Sequence, residues 1–167
     1  MTVTSEIYAQ IKARQTAAPD LGQASAEISA GIAVKLGAGT LAGQADRMWS
    51  DERTLAASAT ENLDLAGVLS DIFGAAASFA KVKAIIVVAA AANAGDIVLG
   101  GAASNGFVGP FGAAAHTVAV RPGGVVLLAD AAGGWAVAAG TGDLLKVANG
   151  SGSAAGTYKI IVLGTSA

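Results

Sequence analysis

Apolar and polar positions alternate with a period of two over long parts of this chain. In "EISAGIAVKLGAGT" the apolar side chains share one parity, at Ile28, Ile32, Val34 and Leu36. Such alternation is typical of a strand that buries one face. The following stretch, "DRMWSDERTLAASATENLDLAG", predicts two short strands with Trp49 pointing inward. The pattern therefore predicts extended structure from residue 27 onward.

Short apolar runs separated by turn-forming residues continue through the rest of the chain. They predict further strands at Ala80–Val88, Ile97–Gly100, Thr117–Val120, Val125–Ala129, Trp135–Ala139, Leu144–Ala148 and Tyr158–Leu163. The separators, such as "NAGD" and "DAAGG", have the composition and short spacing typical of an all-β sandwich or barrel. In "RPGG", Pro122 presets the first corner of a turn and Gly123 supplies the positive φ of a type II turn. A chain reversal is therefore predicted between Val120 and Val125.

The N-terminal region follows a less regular pattern. In "SEIYAQIKAR", Ile7 and Ile11 lie four residues apart and Ser5 stands where an N-cap would stand, which predicts a short helix. The proline and glycine of "TAAPDLGQASA" then interrupt any regular element. Two interpretations stay open. Residues 1–28 form an arm or leader, or they form a helix packed on a β-sandwich domain that spans residues 29–167.

The segment "LSDIFG" also has two interpretations. It is either one helical turn, capped by Ser70 and closed by Gly74, or a loop that inserts Phe73 and Phe79 into the core. The alanine runs have high helix propensity. Their flanking glycines and β-branched residues nevertheless favour strands and loops.

The amino-acid composition argues against several classes of binding partner. Lys plus Arg number 10 and Asp plus Glu 12, so a net charge of −2 offers no basic face for nucleic acid. The longest apolar run, Ala84–Ala92, is shorter than the ~20 residues of a membrane-spanning helix. The N-terminus lacks the apolar core of a signal peptide, and cysteine is absent. Charged residues make up 13% of the chain, against about 25% in typical proteins, which favours a surface partly covered by partners.

No residue pattern indicates catalysis, a cofactor or a metal site, and we predict none. His116 is the single histidine, and no carboxylates cluster with it in sequence, so we expect it in a loop or at a strand edge. The acidic residues Asp64 and Asp71, or the adjacent Asp51 and Glu52, do not have a spacing that indicates a glycosidase. Asp64 is expected to fix a turn.

Glycine, lysine and tryptophan each suggest a binding role that we do not favour. The stretches "GTGD", "NGSGSAAG" and "GAGTLAG" do not match a phosphate-binding loop, so we expect turns. Lys81 and Lys83 share one face of a predicted strand, where we favour a solvated face over contact with an acidic partner. Trp135, in "GWAVAAG", is expected to bury its indole rather than stack on a carbohydrate.

Strand and turn residues of the region 47–167 form a pattern that carries no chemical motif. It consists of "ENLDLAGVLSDIFGAAASFAKVKAIIVV", "VLGGAASNGF", "VRPGGVVLLAD" and "DLLKVANGSGSAAGTYKIIVLGTSA". In these stretches the chain resembles small virion structural proteins of tailed bacteriophages. The resemblance implies a capsid decoration (cement) protein on the capsid surface, with a β-sandwich or jelly-roll-like fold that assembles as a homotrimer.

Three hypotheses for function follow. The first, which we favour, is a decoration protein that binds the major capsid protein and its own copies, with no nucleic-acid or membrane partner. In that case the apolar "GTYKIIVLGTSA" completes a sheet or docks on a neighbour. The second is a tail, head–tail junction or fibre-associated protein that contacts host glycan through exposed Phe107 and Phe111. The third is a hydrolase, which a cluster of His116 with two carboxylates would favour.

Overall fold

The computed structural model describes residues 2–167, which form strands joined by turns and loops, with no helix among them. The strands are Ser5–Ala17 (β1), Ala24–Ala38 (β2), Gln44–Ala45 (β3), Arg47–Leu55 (β4), Thr60–Asp64 (β5), Lys81–Ala89 (β6), Ile97–Gly100 (β7), Thr117–Val120 (β8), Val125–Ala129 (β9), Trp135–Ala136 (β10), Leu144–Asn149 (β11) and Gly156–Thr165 (β12). The prediction of an all-β protein is confirmed.

Nine of these strands make up two sheets. The first sheet has the order β4–β12–β6, with β9 and the short β10 both paired to the far edge of β6. The second has the order β5–β11–β7–β8. The antiparallel pairs are nested along the chain: β4 pairs with β12, β5 with β11, β6 with β9 and β7 with β8. This is the pairing of one long hairpin whose successive strand pairs fall alternately in the two sheets.

Both sheets contribute side chains to one apolar core. On β12, Tyr158, Ile160 and Val162 are buried at every second position, and Leu145 and Val147 do the same on β11. Such alternation places one face of each sheet inward. The predicted inward position of Trp49 is confirmed, since its side chain belongs to the same core. The two sheets therefore form a β-sandwich.

The apolar segment near the end of the sequence completes a sheet of its own chain. Strand β12 lies between β4 and β6 and pairs with both along nearly its full length. A central strand has neighbours on both edges, and its inward residues are covered by the second sheet. This position accounts for the apolar character of "GTYKIIVLGTSA" without contact to a neighbouring molecule.

The first two strands form a hairpin arm outside the sandwich. Strands β1 and β2 pair over 13 rungs, from Ser5 opposite Leu36 to Ala17 opposite Ala24, a length of about 40 Å at the usual rise per residue. Only the root of the arm is buried. There Ile7 and Leu36 pack on the outer face of the first sheet, in a small cluster with Ala45 and Ala84. The domain boundary predicted between residues 28 and 29 lies inside β2.

The short helix predicted for residues 5–14 is wrong, because these residues lie in β1. The spacing of Ile7 and Ile11 fits one helix face, but Ala9 and Ala13 extend the same set into a strict alternation with polar residues. A strand collects all four on one face. Pairing with β2 then satisfies the backbone hydrogen-bonding groups along that side of the hairpin.

The reversal predicted at "RPGG" is confirmed and has a consequence for topology. The Gly124 amide donates to the Arg121 carbonyl at 2.7 Å, and Gly123 has a φ of 73°, as a type II turn requires. The turn joins β8 in the second sheet to β9 in the first. It therefore carries the chain across the edge of the sandwich rather than closing a two-stranded hairpin.

The "LSDIFG" segment is a loop, so its helical interpretation is wrong. Asp71 Oδ1 accepts hydrogen bonds from the amides of Phe73 and Ala75, both at 2.9 Å, and this local capping stabilises a turn. Phe79 enters the core, as the loop interpretation predicted, whereas Phe73 is 72% exposed. The loop thus places one aromatic ring at the surface.

Candidate interaction surface

The single histidine lies in a surface loop. His116 is exposed, and its Nδ1 lies 2.9 Å from the carbonyl oxygen of Phe111. A carbonyl oxygen only accepts, so Nδ1 donates in this contact. Among residues 2–167 the structure has no group of three His, Cys, Asp or Glu side chains placed to hold a metal ion.

The acidic residues tested as a glycosidase pair are engaged in local turns and ion pairs. Asp64 Oδ1 accepts from the Ala66 amide at 3.0 Å, which confirms its predicted role in a turn. Asp51 accepts from the Glu52 amide at 2.9 Å and pairs with Arg53. The structure therefore distributes these carboxylates over separate local contacts.

The glycine-rich stretches form turns, as predicted. In "GTGD", the Gly140 amide donates to Asp143 Oδ2 at 2.5 Å. In "NGSGSAAG", the buried Asn149 amide group donates to the carbonyls of Leu55, Ala56 and Ala154 and accepts from the Ser151 amide. These contacts fix loop backbone, and the polar atoms are already used within the chain.

The prediction of a solvated face for both lysines is wrong for Lys83. The register between β6 and β12 shifts so that Leu163 pairs with Ala84 and Gly164 with Val82, leaving Lys83 in a β-bulge. The loop after β9 covers it, and Lys83 Nζ donates to the Ala132 carbonyl at 2.6 Å. Burial lowers the pKa of Lys83, and the nearby charge of Lys81 lowers it further. Lys81 itself is exposed.

Gly134 explains how the loop closes over this lysine. It has a φ of 70°, and a Cβ at this position would lie 2.9 Å from both Lys83 Cδ and the Val82 carbonyl oxygen. Only glycine provides both the positive φ and the close approach.

One polar cluster joins the two sheets. Arg53 on β4 donates through Nε to Glu61 Oε2 at 2.7 Å, and Tyr158 on β12 donates its hydroxyl to Glu61 Oε1, also at 2.7 Å. Glu61 lies on β5 in the second sheet, so the three side chains bridge the sandwich. Asp51 accepts a further bond from Arg53 Nη1 at 2.8 Å. Every member is paired, which is typical of a stabilising network.

The electrostatics of this cluster favour its present charge state. The hydrogen bond to Glu61 raises the pKa of Arg53 despite partial burial. Burial is the main cause that raises the pKa of Tyr158, and the hydrogen bond to Glu61 adds to it. Tyr158 is therefore a neutral donor over the whole ordinary pH range, which suits a structural hydrogen bond and not proton transfer.

Sequence reasoning missed this cluster, although one signal was present. Arg53 has the same strand parity as Trp49 and Leu55, so an inward-facing strand carries the arginine toward the core edge. A charged residue on a buried parity indicates a paired partner. The spacing of residues along β4 does not identify Glu61 as the partner of Arg53, because Glu61 lies on β5 in the other sheet.

The loop "SNGFVGPFG" contributes its aromatic rings to the sandwich. Phe107 is 2% exposed and belongs to the core, while Phe111 is partly buried against the same core. Trp135 is likewise half-buried, with Gly109 packed on its Cβ. None of these rings is among the exposed large apolar side chains of residues 2–167.

A long uncovered apolar surface lies on the arm. Cross-strand partners in a hairpin share a face, so one face carries only small and apolar side chains over most of its length. We call it the arm face; it consists of Ile7, Ala9, Ile11, Ala13, Ala26, Ile28, Ala30, Ile32 and Val34, and the polar Gln15 stands on the same face opposite Ala26. Beyond the buried root its isoleucines are 61–71% exposed. An isolated two-stranded hairpin is only marginally stable in water. The arm would therefore gain stability if another apolar surface covered this face.

Two smaller apolar surfaces lie on the sandwich. The outer face of the first sheet exposes Val88, Val125 and Ile161 beside the arm root. A separate cleft of about 400 Å³ lies between the N-terminal segment, β4 and the loop after β5. Its apolar lining includes Met48, and the exposed Phe73 lies at its wall.

Comparison with known proteins identifies no relative of this chain. No family model, no curated protein and no solved structure matches the chain. Within residues 2–167, the structure contains no helix of the length and hydropathy needed to cross a membrane.

Proposed function

We propose that this chain is a non-enzymatic structural protein of a virion. In this proposal it is a capsid decoration (cement) protein that stabilises a phage head through contacts with the major capsid protein and with its own copies. One observation carries the proposal: the hairpin arm projects from a closed sandwich and presents an apolar face that, beyond the arm root, nothing among residues 2–167 covers. Apolar surfaces of this kind mark sites of protein contact.

The fold is consistent with this role. The nested pairing of eight strands in two sheets supports a jelly-roll-like fold as part of the proposal, and jelly rolls are found among viral capsid domains. Fold alone does not determine function. It supports the proposal because the resemblance to phage virion proteins covers the same region, residues 47–167.

The mechanism needs contact area and symmetry, and no chemistry. A subunit that touches the shell and a neighbouring copy makes its second contact at high effective concentration, so weak contacts add up to strong retention. The arm increases the reach of each copy by about 40 Å. Assembly as a homotrimer would multiply these contacts by three.

The alternative role in a tail, junction or fibre has less support. Its proposed contact with host glycan requires exposed aromatic rings in "SNGFVGPFG". Phe107 is buried and Phe111 is partly covered. The arm face and the outer face of the first sheet are aliphatic and lie elsewhere, which favours protein–protein contact over sugar binding.

Labelled particles test the proposal. An epitope placed after Ala167, which is exposed, is located on purified particles by antibody labelling and negative-stain imaging. Labels at regular positions over the head are expected. Labels confined to one vertex or to the tail, or absence of the chain from intact particles, would contradict the decoration role. Particles carrying the untagged chain control for antibody background.

A further inference from the structure

The root of the arm contacts one loop of the sandwich. Residues 130–134 join β9 to β10, and we call them the seat loop. Within this loop, Ala131 packs against the small cluster that buries Ile7 and Leu36 at the arm root. The Ala131 carbonyl also accepts a hydrogen bond from the Gly43 amide at 3.2 Å. The position of the arm root therefore depends on where the seat loop lies.

Hydrogen bonds continue from the seat loop into the arm. The Gly43 carbonyl accepts a bond from the Gly37 amide at 3.0 Å, and Gly37 belongs to β2. Beside this bond, the short β3 pairs in parallel with the end of β2, where Gly37 stands opposite Gln44. A displacement of the seat loop would thus reach the arm through two backbone hydrogen bonds and the shared apolar cluster.

One buried side chain contacts the seat loop along its length. Lys83 is 1% exposed, and its Nζ donates to the Ala132 carbonyl at 2.6 Å. At the start of the loop, the Asp130 amide donates to the Lys83 carbonyl at 2.9 Å. At the end, Gly134 lies so near that a Cβ there would be 2.9 Å from Lys83 Cδ. Lys83 therefore contacts the loop at its start, its middle and its end.

The ammonium group of Lys83 does not make the sandwich more stable than an apolar side chain would. Burial lowers the pKa of Lys83, the charge of Lys81 lowers it further, and Asp130 acts in the opposite direction. Lys83 takes part in none of the ion pairs formed by residues 2–167, and a buried charge without a counter-charge is costly. What the ammonium adds is its bond to the seat loop.

We propose that Lys83 is a positioning residue for the arm: its bond to Ala132 fixes the seat loop, and the seat loop fixes the arm root on the first sheet. Only the root of the arm is buried. A segment with so few buried contacts opens without global unfolding, so loss of this bond should release the arm as one unit. The inference concerns the purified chain and stands or fails independently of the decoration role.

Amide hydrogen exchange of Lys83→Met tests the coupling. Methionine keeps a long apolar stem but cannot donate to the seat loop. The amides of Gly37 and Gly43 should exchange about tenfold faster or more, because a hydrogen bond from a charged group is lost. The amides of β12 should keep their protection. Lys81→Met, which replaces an exposed lysine, is the matched control and should leave all these rates unchanged.

Two outcomes of this experiment would overturn the proposal. Unchanged exchange at Gly43 in Lys83→Met would show that the lysine does not act on the arm root. Exchange that rises by the same factor at Gly43 and throughout β12 would show a loss of global stability instead of a release of the arm.

Gly134 offers a second way to displace the seat loop. In Gly134→Ala the new methyl group collides with the lysine stem, so the loop must lift. The control is Gly140→Ala, because Gly140 has nearly the same φ, 73° against 70°, and no atom within 4 Å of a Cβ. Only Gly134→Ala should speed exchange at Gly43. Adding Lys83→Met should change little, since both substitutions release the same loop; fully additive effects would contradict the proposal.

Distance measurements report the arm directly. The chain has no cysteine, so Leu21→Cys near the arm tip and Ser153→Cys on the sandwich, both exposed, can carry a pair of spin labels. We expect a narrow distribution of distances in the otherwise native chain and a broad one after Lys83→Met. Equal widths in the two proteins would overturn the proposal.

Chemical rescue separates the ammonium group from the packing of its stem. Lys83→Cys, alkylated with bromoethylamine while unfolded and then refolded, regains an ammonium group at the length of lysine. Alkylation with propyl iodide gives an apolar side chain of the same length. The ammonium form should restore slow exchange at Gly43, and the propyl form should not. Equal rates in the two forms would show that packing alone holds the seat loop, and the proposal would be wrong.

Discussion

The sandwich and the arm are built from the same kinds of residue and differ in where the covering surface comes from. Ile85 on β6 is 0% exposed, whereas Ile28 on β2 is 65% exposed, although both are isoleucines within β-strands. In the sandwich the second sheet of the same chain covers the first. Beyond its root, the arm has no second layer among residues 2–167. The same residue type in the same kind of element thus has opposite energetic outcomes, and tertiary topology decides between them.

The polar residues show the same contrast. In the sandwich, Glu61 links Arg53 and Tyr158 across two sheets, and the phenol is fully buried. On the arm, Arg14 and Glu27 form an ion pair that is mostly exposed. Exposed pairs contribute little to stability, whereas loss of one partner from a buried network leaves others unsatisfied. The comparison can therefore be tested with matched substitutions in the two regions.

The largest effect is expected in the shared core. Ile85→Ala removes a fully buried side chain and should lower the free energy of unfolding by about 4 kcal/mol, from lost transfer energy and the cavity left behind. Urea unfolding followed by tryptophan fluorescence measures it. A loss below about 1 kcal/mol would show that the two sheets do not close on this side chain.

A smaller effect is expected from the polar bridge. Glu61→Gln replaces two acceptor oxygens with one acceptor and one donor, so either Arg53 or Tyr158 faces an NH₂ group. We expect a loss of about 2 kcal/mol. The matched control is Glu52→Gln, which removes an exposed partner of Lys159 and should cost less than about 0.5 kcal/mol. Equal losses in the two variants would contradict a bridging role for Glu61.

Tyr158→Phe isolates one bond of that bridge and adds a pH dependence. Removing the hydroxyl should cost about 1.5 kcal/mol near neutral pH, since it donates to a carboxylate. The folded pKa is raised above the ordinary tyrosine value of 10.0, so this part of the stability is complete below pH 10. It declines above pH 10, where the unfolded chain binds fewer protons than the folded chain.

The free-energy difference between the native protein and Tyr158→Phe should therefore narrow as pH rises above 10. Urea unfolding at several alkaline pH values measures this difference directly. A difference that stays constant or widens would mean that Tyr158 ionises as readily in the folded protein as in the unfolded one.

The sandwich was largely predictable from sequence because its signals are local. Strand alternation, glycine turns and the "RPGG" corner place the strands from residue 80 onward within a few residues of their observed bounds, with the short β10 as the main exception. The order of the strands in the sheets, by contrast, could not be predicted from sequence. Pairing of β4 with β12 joins residues about a hundred positions apart, and no local pattern records which distant strands meet.

At the arm and at the Lys83 bulge, local sequence patterns predict the wrong structure. Alanine satisfies both helical and strand patterns, so the isoleucine spacing of β1 was read with the wrong period. At Lys83, one unpaired residue moves the side chain from the face that alternation assigns to it. In both places the deciding partner, β2 or the Ala131–Gly134 loop, comes from elsewhere in the chain.

The smallest effect on the free energy of unfolding is expected on the arm. This substitution tests most directly whether the chain itself covers the apolar side chains of the arm. In a dilute sample Ile28→Ala should change the free energy of unfolding by less than about 0.5 kcal/mol, because the side chain is already in water. Tyr8→Ala on the polar face is the matched control and should change the free energy of unfolding by as little. A core-like loss for Ile28→Ala in the dilute monomer would mean that its own chain covers the arm.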